Sequence, residues 1–259
     1  MTTNTRPVHR AFCITTALLM SCAFLQAAET TETLLKRAMV YDVQLKAAEA
    51  LALYQQAEKQ QPEDADILVR IARQYRHLMA DAKAKEEKLR LGNLALDYGR
   101  RAVALAPKNS DAQLSTAISY GKMVTLLSSK EQMEASKQIK ASADKAIRLN
   151  PRNDLAWHIV GRWNRNLAEI SPLKRALASL VYEKLPDATL EEAAVCFEAA
   201  VRINPNRCIH HIELGRTYAQ MGRKEDARRH LEKGLAMPST EKDDPDAKKT
   251  GREVLAKLN

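Results

Sequence analysis

Apolar positions recur at helical spacing along most of this chain, with polar positions filling the faces between them. From residue 28 onward they group into paired amphipathic segments, each pair closed by a proline. The clearest pair opens at Trp157-x-x-Val160-Gly161, continues with Ala193, Phe197 and Ala200, and ends at Pro205. The next opens at Leu214-Gly215-x-x-Tyr218, continues with Ala227, Leu231 and Gly234, and ends at Pro238. Weaker copies precede them. Leu68, Ile71, Ala72 and Tyr75 pair with Ala95, Ala102 and Pro107, and Thr116, Ala117 and Tyr120 pair with Ala143, Ala146 and Pro151. Ala50, Tyr54, Ala57 and Pro62 read as the second half of a first unit whose first half falls over 33–45.

This alternation is the tetratricopeptide pattern. A small residue on helix A lets helix B approach, alanines on B admit the next helix A, and bulky residues fill the spaces between. No unit buries its apolar face alone, so units stack. The expected fold is all-α: a tetratricopeptide-like right-handed α-solenoid of about four to five helix pairs with a C-terminal capping helix. The units fall at about 33–62, 65–107, 110–151, 154–205 and 208–238. The marker prolines Pro62, Pro107, Pro151 and Pro205 stand 45, 44 and 54 residues apart, against about 34 in a standard unit. Lengthened helices account for the first two excesses. The third holds an extra helix at 172–184, begun by Ser171-Pro172 and carrying Leu173, Leu177, Leu180 and Val181 on one face, which is expected to pack on the solenoid. Thr189-x-x-Glu192 is a capping box that starts the following helix. Ser239–Asp246 reads as a polar acidic loop, and residues 246–259 as the cap.

Residues 1–27 read as a secretory signal: Arg6 and Arg10, an apolar run over 11–25, then a small-residue exit at Ala27-Ala28. The expected destination is export, to the periplasm. Leu19-Met20-Ser21-Cys22 offers an alternative, a lipoprotein box that would anchor the chain to a membrane through Cys22. The solenoid then occupies 28–259.

Composition agrees with helices: 8 glycines, 9 prolines and 5% aromatics in 259 residues are too few for a turn-rich β-fold. The net charge of +9 raises nucleic acid as a ligand, but the basic residues are interleaved with acids and form no long run, so no nucleic-acid partner is expected. No HExxH, P-loop, GxSxG or GxGxxG occurs, and no enzyme activity, cofactor or metal is expected. His210 and His211 are adjacent, so they point about 100° apart on a helix and do not converge on a metal. Cys196 and Cys208 read as buried thiols, too far apart to bridge, and Trp157 and Trp163 as packing residues.

The A helices of such a solenoid line its concave face. Counted from the prolines, the inward position 9 is Arg73, Ile118, Arg162 and Arg216. Position 12 is Arg76, Gly121, Arg165 and Ala219, and position 5 is Val69, Leu114, His158 and Ile212. Guanidinium forks hold carboxylates and phosphates at two points. The candidate ligand-binding residues are therefore Arg73, Arg76, His158, Arg162, Arg165 and Arg216. The matching ligand is a protein partner presenting an acidic peptide segment. An anionic lipid head group is the alternative. A third role stays open, in which these arginines pair with acids of neighbouring helices.

The stretch from Trp157 to Leu258 also resembles the regulator of microtubule dynamics family. The resemblance is carried by Trp157-His158-x-x-Gly161-Arg162-Trp163, Leu185-Pro186-x-Ala188-Thr189-x-Glu191-Glu192-Ala193, Ile203-Asn204-Pro205-Asn206 and Glu213-Leu214-Gly215-Arg216-Thr217-Tyr218. It implies a helical-repeat binding module without catalysis, linked in animals to microtubules, mitochondria and membrane contact sites. Tubulin is a partner by this resemblance alone, and a microtubule or membrane-contact role is the alternative reading if residues 1–27 are not a signal peptide.

Overall fold

A computed structural model describes the chain over residues 1–2, 29–181 and 185–258, with residues 177–181 described by backbone only. The leader read in residues 1–27, with Cys22, lies outside the described residues but for the first two. Among the described residues all regular structure is helical. Five A/B pairs follow one another. They are α1 (Thr31–Val43) with α2 (Ala47–Gln60), α3 (Ala65–Asp81) with α4 (Lys85–Leu105), α5 (Ser110–Met123) with α6 (Ser129–Leu149), α7 (Asp154–Ala168) with α9 (Leu190–Ile203), and α10 (Cys208–Gln220) with α11 (Lys224–Ala236). The insert α8 (Pro172–Val181) interrupts the fourth pair, and α12 (Asp244–Ala256) packs on α10 and α11 as the cap. The first unit thus has its own A helix, and there are five pairs. The first two long proline spacings come from α4 and α6, each of 21 residues, and the third holds α8.

The prolines work with the residue two places on. Pro62, Pro107 and Pro151 end one helix, and Asp64, Asn109 and Asn153 cap the next by accepting from backbone N–H groups of the first turn. Each such cap is worth about 1 kcal/mol. The fifth unit departs from this: Arg207 holds the cap position after Pro205, and its side chain makes no cap bond.

Each A helix packs on its B helix through a small residue. A Cβ on Gly161 would stand 2.9 Å from the Phe197 ring, and one on Gly215 would stand 2.7 Å from Leu231 and 3.0 Å from the Ala227 carbonyl. Cores of alanine and large aliphatics fill each junction. Cys196 and Cys208 are free and buried, and burial pushes their thiols up to about 11 and about 12. Trp157 and Trp163 are only half-buried. Their indole N–H groups donate to the Pro151 carbonyl and to Ser136, so polar anchoring accompanies their packing. On α8, Leu173 is 71% exposed and does not pack as expected. The side chains of Leu177, Leu180 and Val181 lie outside the described residues.

Candidate functional site

The six candidate residues divide by burial. Arg76 and Arg165 are buried between successive A helices. Arg76 Nη1 donates to Ser115 Oγ at 3.1 Å and Ser119 Oγ at 3.2 Å on α5. Arg165 forms an ion pair with Glu213 on α10 and donates to its carbonyl at 3.3 Å. Ser115 and Glu213 occupy the same place in their helices, so the two arginines make equivalent cross-links. Burial lowers Arg76 to about 9. It lowers Arg165 as well, against the opposing pull of Glu213. These two guanidinium groups hold the stack together and are covered from solvent.

His158 also lies in a junction, between α7 and α10. Its Nδ1 is 3.0 Å from His210 Nδ1, and His210 Nε2 is 2.9 Å from Asp154 Oδ2. With His210 donating to the carboxylate through Nε2, its Nδ1 accepts from His158. Burial holds both imidazoles below their usual value. Asp154 goes the other way: burial alone would raise it, but the His210 bond and the Arg207 charge hold it at about 2. His211, about 100° further round the helix, meets His230 instead, at 3.1 Å. Among the described residues, no group of three or more His, Cys, Asp or Glu side chains is placed to hold a metal ion.

Arg73, Arg162 and Arg216 reach solvent. Arg216 donates to both carboxylate oxygens of Glu213, at 2.9 and 3.1 Å. Arg162 is exposed and has no hydrogen-bond or ion-pair partner among the described residues. Arg73 lies 3.6 Å from Asp42 and donates to Glu241 at 2.9 Å.

That last bond is decisive for the site, because Glu241 lies 168 residues away. The acidic loop between α11 and α12 is more than a connection. It returns across the A-helix face as a strap. Glu241 takes Arg73 from the second unit on one oxygen and Arg207 from the fifth on the other, at 2.9 and 3.1 Å. Lys242 pairs with Asp81 on α3 at 2.6 Å, and Asp243 pairs with Lys122 on α5. Asp244 fixes the turn by accepting from the Thr240 and Glu241 backbone N–H groups, both at 2.8 Å. The site therefore includes Arg207 and Lys122, which the repeat positions do not single out. Arg207 carries one signal, since it stands where the second, third and fourth units place a capping Asp or Asn. Elsewhere, a cleft of about 800 Å³ lies between α6, α7 and α9, lined by Lys140, Trp163, Val195 and Cys196. It lacks a comparable convergence of guanidinium groups.

A family model described as "Regulator of microtubule dynamics protein 1-3" matches residues 34–259. Regulator of microtubule dynamics protein 1 of Caenorhabditis elegans is 30% identical over 179 residues, 69% of this chain and 79% of the relative. The protein of that name from Mus musculus is 28% identical over 267 residues, covering 98% and 87%. Among solved structures, a tetratricopeptide-repeat protein of Thermus thermophilus superposes with a TM-score of 0.62 at 20% identity, covering 88% of this chain and all of that one. This likeness shows the fold.

Proposed function

The chain belongs to the regulator of microtubule dynamics family, and from that premise we propose that it is a non-enzymatic scaffold binding an acidic segment of a protein partner on its concave face. Family and fold support an interaction scaffold, and the segment chemistry follows from the site. One observation carries it: guanidinium groups from the second and fifth units converge on a single carboxylate, and the A-helix row also carries the exposed Arg162. A groove that collects a carboxylate across that span of repeats suits an extended acidic peptide.

On this reading the apolar run over 11–25 is a secretory leader and the scaffold works after export, which N-terminal sequencing of the mature protein tests. The names of the relatives attach microtubules to those proteins. Tubulin is one acidic partner to try, by family membership alone.

The test of the binding reading is a fluorescence titration with an acidic peptide, its amide analogue and vesicles rich in phosphatidylserine. The acidic peptide is expected to bind, with affinity falling as salt rises, and Arg73→Ala or Arg162→Ala to weaken it by about tenfold, the loss of one charge-assisted contact. Equal binding of the amide analogue would contradict the proposal. Displacement of the peptide by vesicles would move the reading to anionic lipid.

A further inference from the structure

The strap shows what the site takes. Its carboxylates fall on alternate residues: Glu241 is held by Arg73 and Arg207, and Asp243 by Lys122, while Lys242 between them pairs with Asp81. Three units thus contribute a cation or an anion to one short turn, in a pattern of acid, base, acid. Glu241 and Lys242 are about three-quarters covered and Asp243 over half, so this is a seated segment, not a loop passing overhead. Every pair in it still touches solvent, and ion pairs of that exposure are individually weak and exchangeable.

Arg207 gives the second observation. In the second, third and fourth units the residue two after the proline is Asp64, Asn109 or Asn153, and it caps its helix. Asn109 and Asn153 also reach back to an acid in the preceding A helix, Asp66 at 3.0 Å and Asp111 at 2.9 Å. Arg207 keeps that reach, standing 3.1 Å from Asp154, but gives up the cap and extends its second arm to Glu241. A local rule broken in one unit, with a charged arm aimed at the strap, is the pattern expected where a position serves binding instead of helix stability.

We infer that Glu241-Lys242-Asp243 is the resident occupant of the acidic-segment site, and that the partner is a protein segment with two carboxylates two residues apart, which binds by displacing this strap. The inference rests on the concave-face reading above. A tethered segment acts at an effective concentration on the order of millimolar, so it masks the site from weak ligands and admits those of matching pattern. A strap seated nine-tenths of the time reduces apparent affinity about tenfold.

The probe is a synthetic peptide of residues 238–246, Pro-Ser-Thr-Glu-Lys-Asp-Asp-Pro-Asp, added in trans to the full chain. A second peptide carries Gln and Asn at the places of Glu241 and Asp243. The protein is compared with its Glu241→Gln/Asp243→Asn variant, which keeps the Asp244 turn. The variant is expected to bind the acidic probe at least about tenfold more tightly than the unaltered chain, with no gain for the amide peptide. Each single change should give a smaller gain of the same sign, and circular dichroism checks that the helices persist. Equal, measurable affinity for both proteins would overturn the strap as competitor while leaving the groove reading intact. No binding by either protein would overturn both. A fall in thermal stability without any gain in affinity would make the strap a structural tie and overturn the inference.

Discussion

Arg165 and Glu213 are 3% and 6% exposed, an ion pair almost wholly out of water. The Glu213 carboxyl stays below its usual range, although burial alone would raise it, because Arg165, Arg216 and Arg162 surround it. A buried pair of this kind contributes modestly as a pair, but removing Arg165 leaves the buried Glu213 charge to the more exposed Arg216. Arg165→Met is expected to cost about 1–3 kcal/mol, less than a fully stranded buried charge would, and adding Glu213→Gln to recover part of that loss. Urea unfolding of the two variants measures this, and equal losses would contradict it. The positions of Arg73, Arg76, Arg162, Arg165 and Arg216 were legible from the repeat register, but their roles were not, and Arg207 lay outside it. Arg73 and Arg76 sit one turn apart on α3, yet one meets the strap and the other is buried against Ser115 and Ser119. What separates them is the side chain the next A helix brings opposite, which no local pattern states.

The helices were legible because prolines and small-residue positions recur; the caps that Asp64, Asn109 and Asn153 add two residues after the proline were found only in the structure. The turns between A and B carry a subtler constraint. Leu45 and Gly222 occupy equivalent turns, with the following N–H returning to Tyr41 and Tyr218 respectively. Both are left-handed, at φ 57° and 75°. A leucine there costs about 1–2 kcal/mol in backbone strain, so Leu45→Gly is expected to raise stability by up to about 1 kcal/mol once its partial burial is lost. A clear loss in thermal unfolding would contradict this.

The junction of α7 and α10 brings in pH. His158 and His210 are neutral in the fold because burial disfavours their charged forms, and burial also lowers His77 to about 4. The unfolded chain therefore takes up protons first as pH falls. Stability from these sites is complete above about 6.5 and is lost progressively below it. The melting temperature should hold between pH 8 and 7 and decline toward pH 5, with a shallower decline in His210→Gln. A flat profile would contradict the buried neutral relay.

At the scale of the whole molecule, the proposed function depends on the loop before the cap reaching back to the second unit. Repeat length, prolines and small-residue positions foretold a stack, and the acidic loop was visible as such. Its destination was not, because reaching Arg73 requires the summed rotation of the intervening units to bring the second and fifth face to face. That sum is a property of the solenoid and of no single repeat. The same curvature creates the site, since Arg73 and Arg207 meet only through one carboxylate.

The most direct test of the central claim is a double-mutant cycle on the protein with its strap neutralised at Glu241 and Asp243. The cycle crosses Arg73→Ala in the protein with loss of the first carboxylate in the peptide of residues 238–246, both read by fluorescence anisotropy. If the concave face recognises an acidic segment through this contact, the two changes are coupled by about 1 kcal/mol. If their effects add to within about 0.3 kcal/mol, Arg73 does not meet that carboxylate and the concave-face account fails.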